Sequence, residues 1–565
     1  MKDTPMFSSE AAAADSKDGR WTLLHDAQAA AYAADGYARS TDRPALVLAQ
    51  GTAEALELTS ALVTSWGDKL PVVAVALVPK EEFSLVQGAL STVSRSLTIL
   101  KGTGGAQEAL AKAAEDAPRE GPFAVLAAEG TIDVDGIGAA WETALQTAPR
   151  QTSAQTGCQK SDVAQVAALL RGFSRPVIVA GRGAIRSTDA QALSDLAQSL
   201  GAPVLLTSSA TTMPAGRLAE YRRAFEGGAL LPAGTMVWPK ALAGADGVLA
   251  LGTALSEVDW FGLKTLRLAR GRLIRVADKP AAKEFGKPFV QADVPAFVRA
   301  LVSELGNGRG QSSSISHWRK AGERWQKALA KVAGEGEKLS YIEPNFAAYQ
   351  IVQNAPENAL FTSEGGSCGM WLWTYLWLRP LVFPVQHGTI GVPIPMTAGI
   401  QAGQPGAPVW GIVGDGAFFY NAADLAASAK NGPRVYFVFN DSSWSAIRLG
   451  QTFMYSGRYV GTDIAQTDYA KIARAYGCET AACTTPGELL SALKQARQHK
   501  GEKPFVVDVR LRKDHVPYAG VNFVLAELDG ATTSLAAQSA VGATLSLVRG
   551  RLTPRALRGL ITVGR

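Results

Sequence analysis

VWGIVGDGAFFYNAADLAASAKNGPRVYFVFNDSSWSAIRLG runs from Val409 to Gly450. It opens with an apolar strand, Val409–Val413, that ends in Gly414-Asp415-Gly416. A helical stretch over Asn421–Lys430 and a Gly432-Pro433 break follow. A second apolar strand, Val435–Phe439, ends in Asn440-Asp441-Ser442-Ser443-Trp444. A GDG tripeptide alone is ordinary turn chemistry. Here it leaves a strand, opens a helix and is paired with a second acidic strand end 26 positions on. One strand-helix-strand unit of that length sets two parallel strands side by side. Both carboxylates then lie at carboxyl ends, where open α/β sheets bind ligands.

Oxygen ligands that leave several positions open suit Mg²⁺ shared with a diphosphate. Gly416 would let the backbone approach phosphates, and the helix N-terminus would offer them N–H groups. Asp415 and Asp441 are thus candidate metal ligands.

Working outward, the same alternation recurs across the chain. The first block has a helix over Ala27–Arg39, a strand over Pro44–Ala49, a helix over Ala53–Trp66 and a strand over Pro71–Val78. The second has short apolar runs at 176–180, 203–206, 247–251 and 273–277. Continuous apolar runs separated by helices imply parallel strands covered on both faces. Polar stretches at 146–162 and 306–317 read as linkers. The expected fold class is α/β, with three consecutive doubly wound parallel-sheet domains at 1–150, 160–306 and 338–518. A C-terminal tail at 519–565 reads as an arm on the body or on a partner subunit, with a membrane-surface helix or disorder as other readings.

Composition narrows the function. Of 565 residues, 56 are Lys or Arg and 50 Asp or Glu, a net charge of +6 without a long basic block, which argues against nucleic acid. Cysteines at 158, 368, 478 and 483 form neither a disulfide framework nor a CxxC pair. A reducing, cytoplasmic compartment is the simplest setting. No apolar stretch reaches membrane-span length, and the N-terminal stretch has no apolar core of a secretory signal.

On these residues the chain resembles thiamine-diphosphate enzymes of the acetolactate synthase and glyoxylate carboligase type. Their metal motif is GDG followed about 25 residues later by Asn-Asn, the second Asn position being Asp441 here. NDSSWSAIRLGQ (440–451) follows the pattern NNxxxGxxxxxQ, departing at Asp441 and Ser445. The resemblance implies Mg²⁺ held by Asp415, the side chain at 441 and the backbone oxygen of Ser443. Thiamine diphosphate would be held by Asp415, Gly416, Ala417, Asn440 and Ser443.

HGTIGVPIP (387–395) resembles the turn in which Gly388 accepts a hydrogen bond from the aminopyrimidine and Ile390 keeps the cofactor bent. EGGSCGMWLW (364–373) resembles the diphosphate-side loop, with Ser367 and Cys368 in place of the usual Gln-His. Cys368 reads either as a buried thiol or as a redox nucleophile. RPVIVAGRG (175–183) and VLALGTAL (248–255) resemble the central domain. Relatives can carry FAD there. Gly181-Arg182-Gly183 lacks the third glycine of a dinucleotide fingerprint, so the sequence leaves FAD undecided.

The pyrimidine half departs from the pattern. The chain is expected to begin after the first strand, helix and FGxPG loop of that domain. In LLHDAQAAAYAADGYARS (23–40), counting back from Gly36-Tyr37-Ala38-Arg39, the family's glutamate falls on Ala27. Asp26 stands one residue away and reads either as the helix N-cap or as the substitute carboxylate. His25 and His387 read as acid-base groups or as structural histidines. The Gly-Pro-Gly loop is altered to Gln50-Gly51-Thr52-Ala53.

The family implies a lyase or carboligase that decarboxylates a 2-oxo acid and adds the product to a second carbonyl. It also implies small 2-oxo acid or aldehyde substrates and a homodimer or homotetramer. A second reading is a non-catalytic relative that keeps the fold as a regulatory or scaffold subunit.

Overall fold

The computed structural model describes residues 5–517 except 15, 17–20, 101–104, 148–156, 233–239, 243, 256–271, 281–287, 307–312, 386–388, 429–433, 514 and 516. Three six-stranded sheets carry the chain, and every strand pair in them is parallel. The first holds β1 (Met6–Ser9), β2 (Thr22–Leu24), β3 (Ala45–Gln50), β4 (Val72–Val78), β5 (Ser96–Ile99) and β6 (Phe123–Ala128), in the order β2-β1-β3-β4-β6-β5. The second holds β7 (Pro176–Ala180), β8 (Val204–Leu206), β9 (Leu230–Leu231), β10 (Gly247–Leu251), β11 (Leu273–Ala277) and β12 (Phe289–Gln291). Its order is β12-β11-β10-β7-β8-β9. The third holds β13 (Leu360–Ser363), β14 (Leu381–Val382), β15 (Val409–Gly414), β16 (Arg434–Asn440), β17 (Glu479–Cys483) and β18 (Phe505–Arg510), in the order β14-β13-β15-β16-β18-β17.

Counted within each sheet, the first and third share one strand order, and the middle sheet has the order of dinucleotide-binding folds. Uninterrupted burial of β4, β6, β7 and β10 explains their apolar runs, since helices cover both faces.

One expectation is corrected. The chain does not begin past the first strand: β1 lies between β2 and β3, pairing Phe7 with Thr22 on one side and with Val47 on the other. Its short, serine-rich sequence hid it, because Met6 and Phe7 alone make too short an apolar run. The helix expected over Asn421–Lys430 is also different: short helices at Asp415–Phe418 and Asp424–Ser428 are described instead. The tail from 519 lies outside the described residues, and no helix among the described residues is long and apolar enough to cross a membrane.

The first and third sheets are locked together by α1 (Ala27–Thr41) and its topological equivalent, the Pro393–Gly403 helix. The two backbones cross at van der Waals distance. A Cβ on Gly399 would sit 1.7 Å from the Ala33 carbonyl oxygen, and one on Gly36 would sit 2.4 Å from the Met396 carbonyl oxygen. The alanine run of α1 permits this approach, and its alanines at 27, 29, 30, 31, 33, 34 and 38 are all buried.

A buried charge cluster finishes the joint. Arg39 bonds Asp35 at 2.9 Å and Asp68 at 2.6 Å. Thr64 and Ser65 hydroxyls donate to Asp35, and the Val385 N–H donates to Asp68 at 3.0 Å. Arg182 of the middle domain approaches the other Asp68 oxygen at 4.0 Å.

Overpacking a tight crossing costs about 1–3 kcal/mol. Gly399→Ala is therefore expected to lower the urea midpoint of the first transition, with a loss of about 2 kcal/mol or more. Gly88→Ala, inside the Phe83–Val93 helix with open space at its Cβ, is expected to raise stability by about 0.5–1 kcal/mol. Equal effects of the two would refute the close crossing.

Candidate active site at the carboxyl ends of the third sheet

β15 delivers Asp415 at its carboxyl end and β16 delivers Asp441. Their carboxylates meet at one backbone group. The Ser443 N–H donates to Asp415 Oδ2 at 3.2 Å and to Asp441 Oδ1 at 3.1 Å. Asp415 also accepts from the Gly416 N–H at 2.8 Å, and Asp441 accepts from the hydroxyls of Ser443 and Ser445. The loop is braced from outside, with Trp444 N–H on the Thr462 carbonyl and Ile464 N–H on the Ser442 carbonyl. Ser442 takes a left-handed φ of 54°, which turns the chain so that Ser443 faces both acids.

Burial, and then the charge of Asp441, push the Asp415 carboxyl up to about 7. Burial also raises Asp441, against the pull of the serine bonds. Two carboxylates brought to one backbone N–H in a buried loop, both raised by burial, are a donor set suited to a hard cation. The residues present therefore fit Mg²⁺. Among the described residues no cluster of three or more His, Cys, Asp or Glu forms a metal site, so a cation here would draw on two side chains and backbone oxygen.

Other sequence-derived candidates fall around this pair. Ser367 opens the Ser367–Leu376 helix. Cys368 is buried next to Glu364, and burial pushes its thiol well above the usual value, an environment that agrees with the buried-thiol reading. Ala417 is buried, and Ile390 packs on the cluster that contains it. His387 and Gly388 lie outside the described residues.

Gly416 has a different neighbour from the one expected: its missing Cβ would meet the Trp444 ring at 2.6 Å and Ile464 at 2.9 Å. The glycine makes room for an indole. The Asn440 amide is committed to Asp508 at 2.9 Å and to the Thr467 carbonyl at 3.1 Å, where it ties β16 to β18.

On the pyrimidine side, Asp26 is the N-cap of α1, accepting from the Ala29 N–H at 2.7 Å. His25 is exposed at its side chain, while its N–H donates to Asp424 at 2.8 Å. Ala27 is 0% exposed. The glycines of Gly181-Arg182-Gly183 pack on Gly252 and Thr253 at the switch point of the middle sheet, where added Cβ atoms would clash at 2.4–2.9 Å. Their sequence signal is explained by strand-end packing.

Sequence reasoning missed Glu364. It follows β13, is 2% exposed, and accepts the Gly391 N–H on both oxygens at 3.2 and 3.0 Å. Gly391 has φ 86° and is held from the other side by Asn421, whose amide donates to its carbonyl at 2.8 Å. A Cβ there would strike Tyr420 and Asn421. Glu364 thereby fixes the turn that carries Ile390. Its place at the end of a buried strand, one position before Gly365-Gly366, was the available signal.

Three family models match in chain order. Residues 4–97 match the thiamine pyrophosphate enzyme N-terminal TPP binding domain, residues 163–305 the central domain, and residues 364–509 the C-terminal TPP binding domain. The chain belongs to the thiamine pyrophosphate enzymes, of the acetolactate synthase type. It is 27% identical over 534 residues to acetolactate synthase of Mycobacterium bovis, covering 87% of this chain and 82% of that protein. It is 28% identical over 369 residues to sulfoacetaldehyde acetyltransferase of Roseovarius nubinhibens, covering 59% of each. The thiamine diphosphate-dependent 4-hydroxybenzoylformate decarboxylase of Rhodococcus jostii shares the fold. Its TM-score is 0.70 at 20% identity, over 91% of this chain and 97% of that one. The family matches cover both sides of the joint between the first and third sheets.

Burial raises the Glu364 carboxyl from the ordinary 4.5 to about 8. The folded chain then keeps a proton that the unfolded chain releases. Stability of the cofactor-free protein is expected to fall as pH rises from about 4.5 to 8, by an amount on the order of a few kcal/mol. Glu364→Gln keeps an acceptor for Gly391 and is expected to flatten that slope. Melting temperatures across pH 5–9 check this, and an equal slope in the variant would contradict it.

Proposed function

We propose that this chain is a thiamine-diphosphate- and Mg²⁺-dependent enzyme that decarboxylates a 2-oxo acid and transfers the resulting carbanion equivalent to a second carbonyl. The observation that carries this reading is the convergence of Asp415 and Asp441 on the Ser443 N–H, on strand ends of a sheet within the family's TPP binding domain. Similarity to an acetolactate synthase and a sulfoacetaldehyde acetyltransferase agrees with a lyase or transferase.

Asp415, the Asp441 side chain and the Ser443 carbonyl would hold the metal and, through it, the diphosphate. Ser367 at its helix N-terminus would add a hydroxyl on the diphosphate side. Ile390, held by the Glu364–Gly391 bond, would support the bent cofactor, and Trp444 with Ile464 would keep water from the Gly416 side. When bound, thiamine diphosphate supplies the electron sink for the decarboxylation. Small 2-oxo acids and aldehydes are the proposed substrates, and a homo-oligomer the proposed assembly.

The reading of a non-catalytic relative was motivated by Ala27 and by a missing first strand. With β1 in the sheet, only Ala27 and the altered loop after β3 still favour it.

The deciding test is CO₂ release from a panel of 2-oxo acids, pyruvate and glyoxylate included, with and without thiamine diphosphate and Mg²⁺. Cofactor-dependent release is expected, and Asp415→Asn is expected to lower it at least about 100-fold. No release from protein shown to hold the cofactor would overturn the enzyme reading.

A further inference from the structure

Two residues of the loop after β16 depart from the pattern NNxxxGxxxxxQ: Asp441 stands for Asn and Ser445 for Gly. In the structure the two departures touch. The Ser445 hydroxyl donates to Asp441 Oδ2. The other carboxylate oxygen, Oδ1, accepts from the Ser443 hydroxyl at 2.9 Å and from the Ser443 N–H at 3.1 Å. The two hydroxyls lie 2.9 Å apart and close the cluster. Each oxygen of Asp441 is thus held by a serine of its own.

Donor counting explains the pairing. An asparagine side chain has one acceptor oxygen and an NH₂ group that donates, whereas a carboxylate has two oxygens that only accept. Asp441 therefore brings one more acceptor, and one more negative charge, than an amide at the same place. A glycine at 445 would offer no side-chain donor to meet it, and the Ser445 hydroxyl does. Bonds to an ionised acceptor are the stronger kind. Two cations of the flanking segments are committed to another acid: Arg448 and Lys513 both bond Asp463, at 3.3 and 3.1 Å. Ser445 is itself firmly placed. It opens the Ser445–Met454 helix, and its N–H donates to the Ser443 carbonyl at 2.9 Å. One residue thereby reaches two of the groups proposed above as metal ligands, the Asp441 side chain and the Ser443 carbonyl.

We propose that Ser445 is a positioning residue of the metal site. Its hydroxyl fixes the Asp441 carboxylate and offsets the added charge, so that Asp441 and Ser445 act as one unit in binding the divalent cation. This rests on the cofactor reading above.

The test uses the full chain with thiamine diphosphate and no substrate. Mn²⁺ is the probe, an ion that suits the same oxygen donors, and the electron paramagnetic resonance of free Mn²⁺ gives its Kd. Ser445→Ala is expected to weaken Mn²⁺ binding about 10-fold, the loss of one hydrogen bond to a charged group. Ser445→Thr keeps the hydroxyl and is expected to bind within about threefold of the parent. In the Asp441→Asn background, Ser445→Ala is expected to change the Kd less than about threefold, because the coupled carboxylate is already gone. Melting temperatures of the metal-free proteins show that each variant is folded.

Parent affinity in Ser445→Ala would overturn the assignment. So would Ser445→Thr binding as weakly as Ser445→Ala, or an equal loss from Ser445→Ala with and without Asp441→Asn. If the parent chain with thiamine diphosphate binds no Mn²⁺, the metal-dependent function proposed above falls, and this inference with it. If the parent binds Mn²⁺ and only the Ser445 results fail, the function stands without it.

Discussion

The crossing of α1 over the Pro393–Gly403 helix sets the spacing of the first and third domains. Gly399 and Gly36 bring the backbones together where any side chain would collide. Interiors are close-packed and transmit such constraints over several turns. From this contact the N-terminus of α1 is aimed at Thr389 and Asp424, and the Pro393 end of the other helix is aimed at the turn of Ile390. The Arg39 cluster then fixes the rotation of the joint, because Asp68 receives bonds from the first domain at Arg39 and from the third at Val385. Removing one partner of such a buried pair typically costs about 3–5 kcal/mol, which explains why its satellite donors Thr64 and Ser65 surround Asp35.

Electrostatics supplies the second constraint. Glu364, Asp415 and Asp441 are acids raised by burial at the carboxyl end of one sheet. The three do different work. Glu364 keeps its proton and shapes a turn through Gly391. Asp415 and Asp441 share the Ser443 N–H, and in the proposed function a bound cation would let both carboxyls, raised by burial, ionise together. One sheet end thus carries an acid that shapes a turn and a pair of acids proposed to bind a cation.

Much of this was legible in sequence. The α/β class and the parallel sheets follow from apolar runs such as Val72–Val78, which alternate with helices. The metal loop follows from Gly414-Asp415-Gly416 and its distance to Asp441. β1 was missed because two apolar residues followed by Ser8 and Ser9 carry little periodicity, although both serines are buried beside Leu48 and Glu54. Asp26 had two sequence readings, and its bond to Ala29 shows that it caps α1. Gly416 was read as a phosphate approach, whereas contact with Trp444 is a tertiary fact.

The central claim is that a divalent cation between Asp415 and Asp441 holds thiamine diphosphate to the third sheet. Isothermal titration of the metal-stripped chain with thiamine diphosphate, in the presence and absence of Mg²⁺, tests it most directly. The account predicts saturable binding with Mg²⁺, at least about 100-fold weaker binding without it, and no Mg²⁺ enhancement in Asp441→Ala. Equal binding with and without the metal, or full enhancement in Asp441→Ala, would contradict it.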